Sequence, residues 1–213
     1  VPVVERNPLP RVALETREAL HDWLEANHAT HRGIWLVQWR PGTGRPAIAY
    51  DDIVEECLLF GWIDSTVQSF DDQLGGVRLT PRKPTSWWSA VNKKRLEKLQ
   101  GQLRPAGIAA VEVAKANGSF YFLDDVEALI VPDDLATELG DARDVFDGFS
   151  AGRRKQALQW LKAAKRPATR AQRIAKIAAA AREGPVSVLN APTAPTPERC
   201  DPASRSSPSA MSR

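Results

Sequence analysis

FGWIDSTVQSFDDQLGGVRLTPRKPTSWWSAVN, residues 60–92, is the stretch whose reading decides the fold. Gly61 ends an apolar run, and Trp62-Ile63-Asp64 opens a strand. Asp71-Asp72 with Gly75-Gly76 supply turn residues, and Val77-Arg78-Leu79-Thr80 then alternates apolar and polar, the period of two of a half-buried strand. A β-hairpin follows. Pro81 and Pro84 fix φ and offer no N–H, so Arg82-Lys83-Pro84-Thr85 is expected to run extended, outside any ladder. Ser86 is the expected N-cap of a helix through about Leu103, with Trp88, Val91, Leu96 and Leu99 inward.

Upstream, Leu20, Trp23 and Leu24 recur at helical spacing, which predicts a helix over Thr16–Asn27 with Thr16 as N-cap. Gly33–Trp39 is rich in β-branched and aromatic residues and is closed by Pro41-Gly42, a strand and a turn. Tyr50–Phe60 reads as a helix capped by Asp51 or Asp52, with Ile53, Val54, Cys57 and Leu58 buried. Downstream, Pro105 opens a helix that stops at Asn117-Gly118, and short helical pieces lie in 126–139 and 144–149. Ser150 caps a helix through Lys165 carrying Leu158, Trp160 and Leu161. Pro167 restarts one to Glu183, with Ile174, Ile177, Ala178 and Ala181 as its apolar side. From Gly184 the chain is Pro-, Ser-, Ala- and Thr-rich, and too few large apolar groups remain to offset ordering entropy.

The expected fold is therefore α+β: a small antiparallel sheet with packed helices, a C-terminal helical segment and a disordered tail. The boundaries read as an α+β core over 1–118, a helical region packed on or beside it over 119–183, and the tail over 184–213.

At 213 residues, 43% hydrophobic and 26% charged, the chain has ample material for a core. It lacks a run of about 18 apolar residues, and Val1–Pro10 holds no signal-peptide centre, so no membrane insertion and a cytoplasmic location are expected. No Cys/His spacing suits zinc, and no metal or cofactor is expected. His21, His28 and His31 fall about one helix end, where solvated histidines are the default. Cys57, in an apolar run, is expected to be buried.

The net charge of +3 hides an uneven distribution. Residues 1–75 carry 6 basic and 12 acidic side chains, 76–118 carry 9 and 2, 119–149 carry 1 and 9, and 150–183 carry 10 and 1. Two readings stand: neighbouring blocks cancel, or the basic blocks form a patch for an anion.

The chemistry concentrates in 60–92. Side chains two apart on a strand share a face, so Trp62 and Asp64 point the same way, and a carboxylate beside a large aromatic needs a partner. Arg78, Arg82 and Lys83 are the candidates. The first turn of the helix after them, with Ser86, Ser89 and Asn92 beside Trp88, would suit an anion through its open N–H groups. These nine residues form a candidate site for a phosphate-bearing small molecule or a nucleic acid. A purely structural reading of the same residues stands beside it: cap, ion pair, and core aromatics.

No nucleophile elbow, Walker loop or dinucleotide fingerprint is present, so no catalytic residue is assigned. The alternatives are an enzyme using Asp64 in a Trp-lined cleft, or a protein-interaction factor whose basic helices over 150–183 dock an acidic partner.

Gly61-Trp62-Ile63-Asp64, Asp71-Asp72, Thr80-Pro81-Arg82-Lys83-Pro84, Ser86-x-Trp88-Ser89 and Asn92, in that order, resemble the YdeI/OmpD-associated (bacteriocin-protection) family. The likeness extends to Trp23-Leu24-Glu25-Ala26-Asn27-His28, Pro105-Ala106-Gly107, and Ala164-Lys165-Arg166-Pro167-x-Thr169-Arg170 with Arg173-Ile174, about residues 12 to 183. The resemblance implies a bacterial protein with a small α+β domain followed by helices, and a role tied to stress or bacteriocin protection. It implies no reaction, cofactor or catalytic residue.

Overall fold

The computed structural model describes residues 8–184. The expected tail, apart from Gly184, lies outside the described residues. Two compact units divide the chain: one of residues 8–83 and 98–111, the other of 84–97 and 112–184.

The first unit holds β1 (Arg11–Ala13), α1 (Arg17–Asn27), β2 (Ile34–Trp39), α2 (Tyr50–Leu59), β3 (Trp62–Ser69) and β4 (Leu74–Pro81). The strands order β1-β2-β4-β3. The anticipated antiparallel sheet is β2-β4-β3, and β1 adds a parallel edge strand that makes the sheet mixed. Pairing sets Leu36 against Val77 and Ile34 against Leu79, so these four buried residues share one face. Helix α2 packs on β3, and α1 on α2, with Leu20, Leu24, Ile53 and Cys57 buried.

Thr16 caps α1 as expected, its side chain accepting from Ala19 N–H at 3.2 Å. Helix α2 departs from expectation. It begins at Tyr50 after Ala49 with no side-chain cap, and Asp51 and Asp52 lie inside its first turn, where the helix dipole favours negative charge. The turn residues are also fewer than expected. Asp71 closes the hairpin by accepting from Gln73 N–H at 2.8 Å and Leu74 N–H at 2.7 Å. Those bonds hold its carboxyl below the usual carboxylate range. Gly75 and Gly76 belong to β4. Gly76 has a packing reason, because a Cβ there would lie 2.6 Å from the Phe70 ring.

The start of α4 (Pro105–Ala116) seats tightly against the end of α2: Arg104 N–H donates to Leu59 O at 3.0 Å. A Cβ on Gly107 would run into Leu59 O and lie 2.8 Å from Leu58 O. Gly61, at φ +69, makes the turn into β3 with its α-carbon facing Ala106 O.

The second unit contains α3 (Ala90–Lys98) up to Glu97, the end of α4, α5 (Asp124–Glu127), α6 (Asp133–Leu139), a 3₁₀ turn (Gly140–Ala142), α7 (Arg143–Asp147), α8 (Ala151–Lys162) and α9 (Pro167–Glu183). Its core gathers Leu135, Leu139, Phe146, Leu158, Leu161, Ile177 and Ala181, and α9 packs on α6, α7 and α8. Ser150 caps α8 and Pro167 opens α9, as expected. Helix α3 is shorter than the expected 86–103. It is capped by Ser89, whose Oγ accepts from Asn92 N–H at 3.2 Å, and the chain turns at Gly101, φ +86. Val91, expected inward, is 58% exposed. Among the described residues no helix is long and apolar enough to cross a membrane.

The close seat of α4 yields a test. Gly107→Ala should lower the unfolding free energy by about 1–3 kcal/mol through overpacking. Gly152→Ala, where nothing lies within 4 Å of the added carbon, should lower it not at all. Denaturant titration of both variants checks the contrast.

Candidate functional site

The nine residues singled out from the sequence fall five in the first unit and four in the second. In the first, Trp62 pairs with Pro81 and Asp64 with Leu79, so Trp62 and Asp64 do share a face. Both are interior, 1% and 4% exposed. An ionised carboxylate at that depth needs bonds, and the Tyr50 hydroxyl at the start of α2 donates to Asp64 Oδ2. Arg82, 9% exposed, donates its backbone N–H to Gly61 O at 2.9 Å. The buried Cys57 thiol reports on both charges. Burial pushes its pKa up, the Asp64 and Glu56 carboxylates add to the rise, and Arg82 opposes it.

Arg78 is not placed to answer Asp64. It alternates with Leu79 on β4 and pairs with Trp35, which puts it on the opposite face of the sheet from Asp64. Lys83 is exposed.

A second buried acid in this unit went unpredicted. Glu56, 3% exposed, binds Arg17 Nε at 2.7 Å and His21 Nδ1 at 2.7 Å, while Arg17 also reaches Asp52 at 2.6 Å and Glu55 at 3.0 Å. Burial lowers the Arg17 pKa, but the bonds to these carboxylates raise it further, for a net rise. Arg104 Nη2 lies 3.0 Å from His21 Nε2. Arginine only donates, so Nε2 accepts and the imidazole proton sits on Nδ1, facing Glu56. The expectation of a solvated His21 is corrected: the spacing of Arg17 and His21 at i and i+4 turns both toward the acids of α2. That spacing was the available signal.

In the second unit Ser86 is half-buried, three residues ahead of the capping Ser89. The helix-mouth geometry expected at Ser86 therefore belongs to Ser89, which spends its hydroxyl on its own helix. Trp88 is 1% exposed with its ring 5.5 Å from Phe120, and Trp87 stacks on Phe122 at 4.6 Å. Asn92, 3% exposed, accepts from Arg95 Nη1 at 2.8 Å. Pro84 O is held by Asn117 Nδ2 at 2.8 Å and Ser119 Oγ at 3.1 Å, two anchors that the sequence reading missed.

Within this unit the acidic block 119–149 meets the basic block 150–183. Lys155 binds Glu127 at 2.5 Å, Lys162 binds Asp125 at 2.5 Å, and Arg182 lies 3.7 Å from Glu138. Arg170 grips Asp134 with Nε at 2.5 Å and Nη2 at 2.8 Å. That fork holds the Asp134 carboxyl below its ordinary range and lifts the Arg170 pKa. Arg173 donates to Trp160 O and lies over the Trp160 ring at 5.0 Å. The two arginines of the closing sequence motif therefore bind α9 to α6 and α8.

The fold and these contacts define an α+β chain that ends in a helical domain closed by two anchoring arginines. Residues 128–184 match the family described as Bacteriocin-protection, YdeI or OmpD-Associated, and the chain carries a domain of that family. Residues 12–110 match a domain of unknown function (DUF8412). No curated protein and no solved structure matches the chain.

Two tests follow from these bonds. Tyr50→Phe removes a donor to a buried carboxylate and should cost about 1–3 kcal/mol of stability, read by denaturant titration. Asp134, with its folded pKa depressed, contributes stability above its unfolded pKa and loses it as pH falls through the folded value. The gap between the native chain and Asp134→Asn, on the order of 0.5–1 kcal/mol for so exposed a pair, should therefore be present at neutral pH. It should close below the ordinary carboxylate range, which paired melts at the two pH values would show.

Proposed function

We propose that the chain is an anion-binding protein whose contact segment is the basic Thr80–Pro84 stretch and the residues that follow it. The ligand is a phosphate-bearing small molecule or a nucleic acid. One observation carries the reading. In the Thr80–Pro84 stretch Lys83 is exposed, with no ion pair to it among the described residues. Charge that is not cancelled locally remains available to attract an anion. Burial of Asp64 weighs against an open catalytic cleft around it. Bacteriocin protection, suggested by the family's description, would be the setting in which such binding operates.

The test uses a fluorescent single-stranded oligonucleotide, with inorganic pyrophosphate as competitor, across a salt series. Binding should weaken steeply with salt, and Lys83→Ala should weaken it several-fold and lower the log–log salt slope by about 1. Lys165→Ala, an exposed lysine of the basic block over 150–183, should leave both unchanged. Salt-independent binding, or equal effects of the two variants, would count against the proposal.

A further inference from the structure

A pocket of about 230 Å³ opens in the second unit, within and beside the family-matched segment, and none of its lining residues belongs to the basic segment over 80–94. Its apolar wall is Ile130, Pro132 and Leu158, and its polar wall is Asp125, Lys162 and Arg170. From these groups we infer that the pocket binds a small zwitterion with an apolar body, of the class of a free aliphatic α-amino acid.

The unused hydrogen-bonding capacity specifies the ligand. Asp125 receives Lys162 Nζ at 2.5 Å and Val126 N–H at 2.8 Å, both on Oδ1, so Oδ2 remains an open acceptor for an ammonium group. Lys162 has three protons, and Asp125 takes one of them. Arg170 gives Nε and Nη2 to Asp134, which leaves Nη1 for a carboxylate. An acceptor for a cation and donors for an anion therefore stand beside one apolar wall. A purely anionic ligand would leave Asp125 facing it, and a purely cationic one would face Lys162 and Arg170. A molecule carrying both charges satisfies all three residues.

Size and strain agree with this. The volume lies below the roughly 300–1,000 Å³ of sites for drug-sized molecules, which limits the occupant to about the bulk of an amino acid. Leu129 holds φ +58, a left-handed conformation that costs a non-glycine residue energy. Its side chain packs on the core, and the next residue, Ile130, is turned outward at 59% exposure. Strain is thus spent on presenting a large aliphatic group at the mouth of a charged pocket.

The full chain would be titrated by calorimetry and thermal shift with L-leucine, N-acetyl-L-leucine, L-leucinamide and 4-methylvalerate. Leucine should raise the melting temperature by a few degrees at millimolar concentration. The three analogues, each lacking one charge, should bind at least tenfold more weakly. Asp125→Asn should reduce leucine affinity at least tenfold. Ile130→Trp, at an exposed position that can accept the ring without disturbing the core, should block binding while the melting temperature of the free protein holds. Absence of any leucine response would overturn the inference, as would analogues that bind as well as leucine or an Ile130→Trp variant that binds normally. None of these outcomes bears on the oligonucleotide titration, so the two sites are tested apart.

Discussion

The first unit depends on what is done with two carboxylates that have no water. Asp64 and Glu56 are 4% and 3% exposed, and a buried charge without bonds is not tolerated. Each is answered from a different secondary-structure element. Glu56 on α2 is met by Arg17 and His21 from α1, and Asp64 on β3 is met by Tyr50 from the first residue of α2. Two acids thereby tie three elements together, because shifting α2 along either neighbour would break one of these bonds. Deleting a hydrogen-bonding partner of such a carboxylate costs about 1–3 kcal/mol.

The second unit is held by different physics. Its ion pairs are partly exposed: Lys162 with Asp125 and Arg170 with Asp134 keep roughly a quarter to two-fifths of their side chains in water. Pairs of that kind contribute about 0–1 kcal/mol each. The stability must come from the apolar cluster that runs from Leu123 to Ala181. What the pairs add is registry, since an acidic segment followed by a basic one can align in few ways without juxtaposing like charges. Arg170 and Arg173 do more than a lysine could in their places. One forks onto a carboxylate, and the other combines a carbonyl bond with a tryptophan face.

These two kinds of interaction also explain what was legible in the sequence. Period-two and period-3.6 patterns reveal which face of an element is apolar, so the hairpin, the strand over 34–39 and the helices at both ends were readable, as were the caps at Thr16 and Ser150. Strand β1, three residues long, carries no pattern of its own and exists because β2 offers it a free edge. Helix α3 was overestimated because Ser86 reads as a cap and Trp88 and Val91 as an inward face, whereas Ser89 caps the helix and Val91 is exposed. The common face of Trp62 and Asp64 was local geometry and could be read. That Tyr50 would bond Asp64 depends on how the Gly61 turn aims a strand back along the preceding helix, which no local pattern encodes.

The order of motif residues in 60–92 is distinctive, yet the most distinctive of them are not at the surface. Trp62, Asp64, Trp88 and Asn92 are all below 5% exposed and Arg82 is at 9%. Interior polar and aromatic groups with dedicated partners tolerate few replacements, because each substitution leaves an unpaired atom or a cavity. A recognisable sequence signature can therefore arise from the demands of the core without marking where a ligand touches. Exposure, not motif membership, separates the two cases. By that standard Lys83 and the pocket bounded by Asp125, Lys162 and Arg170 have access to solvent partners, and the buried signature residues hold the framework on which those surfaces are displayed.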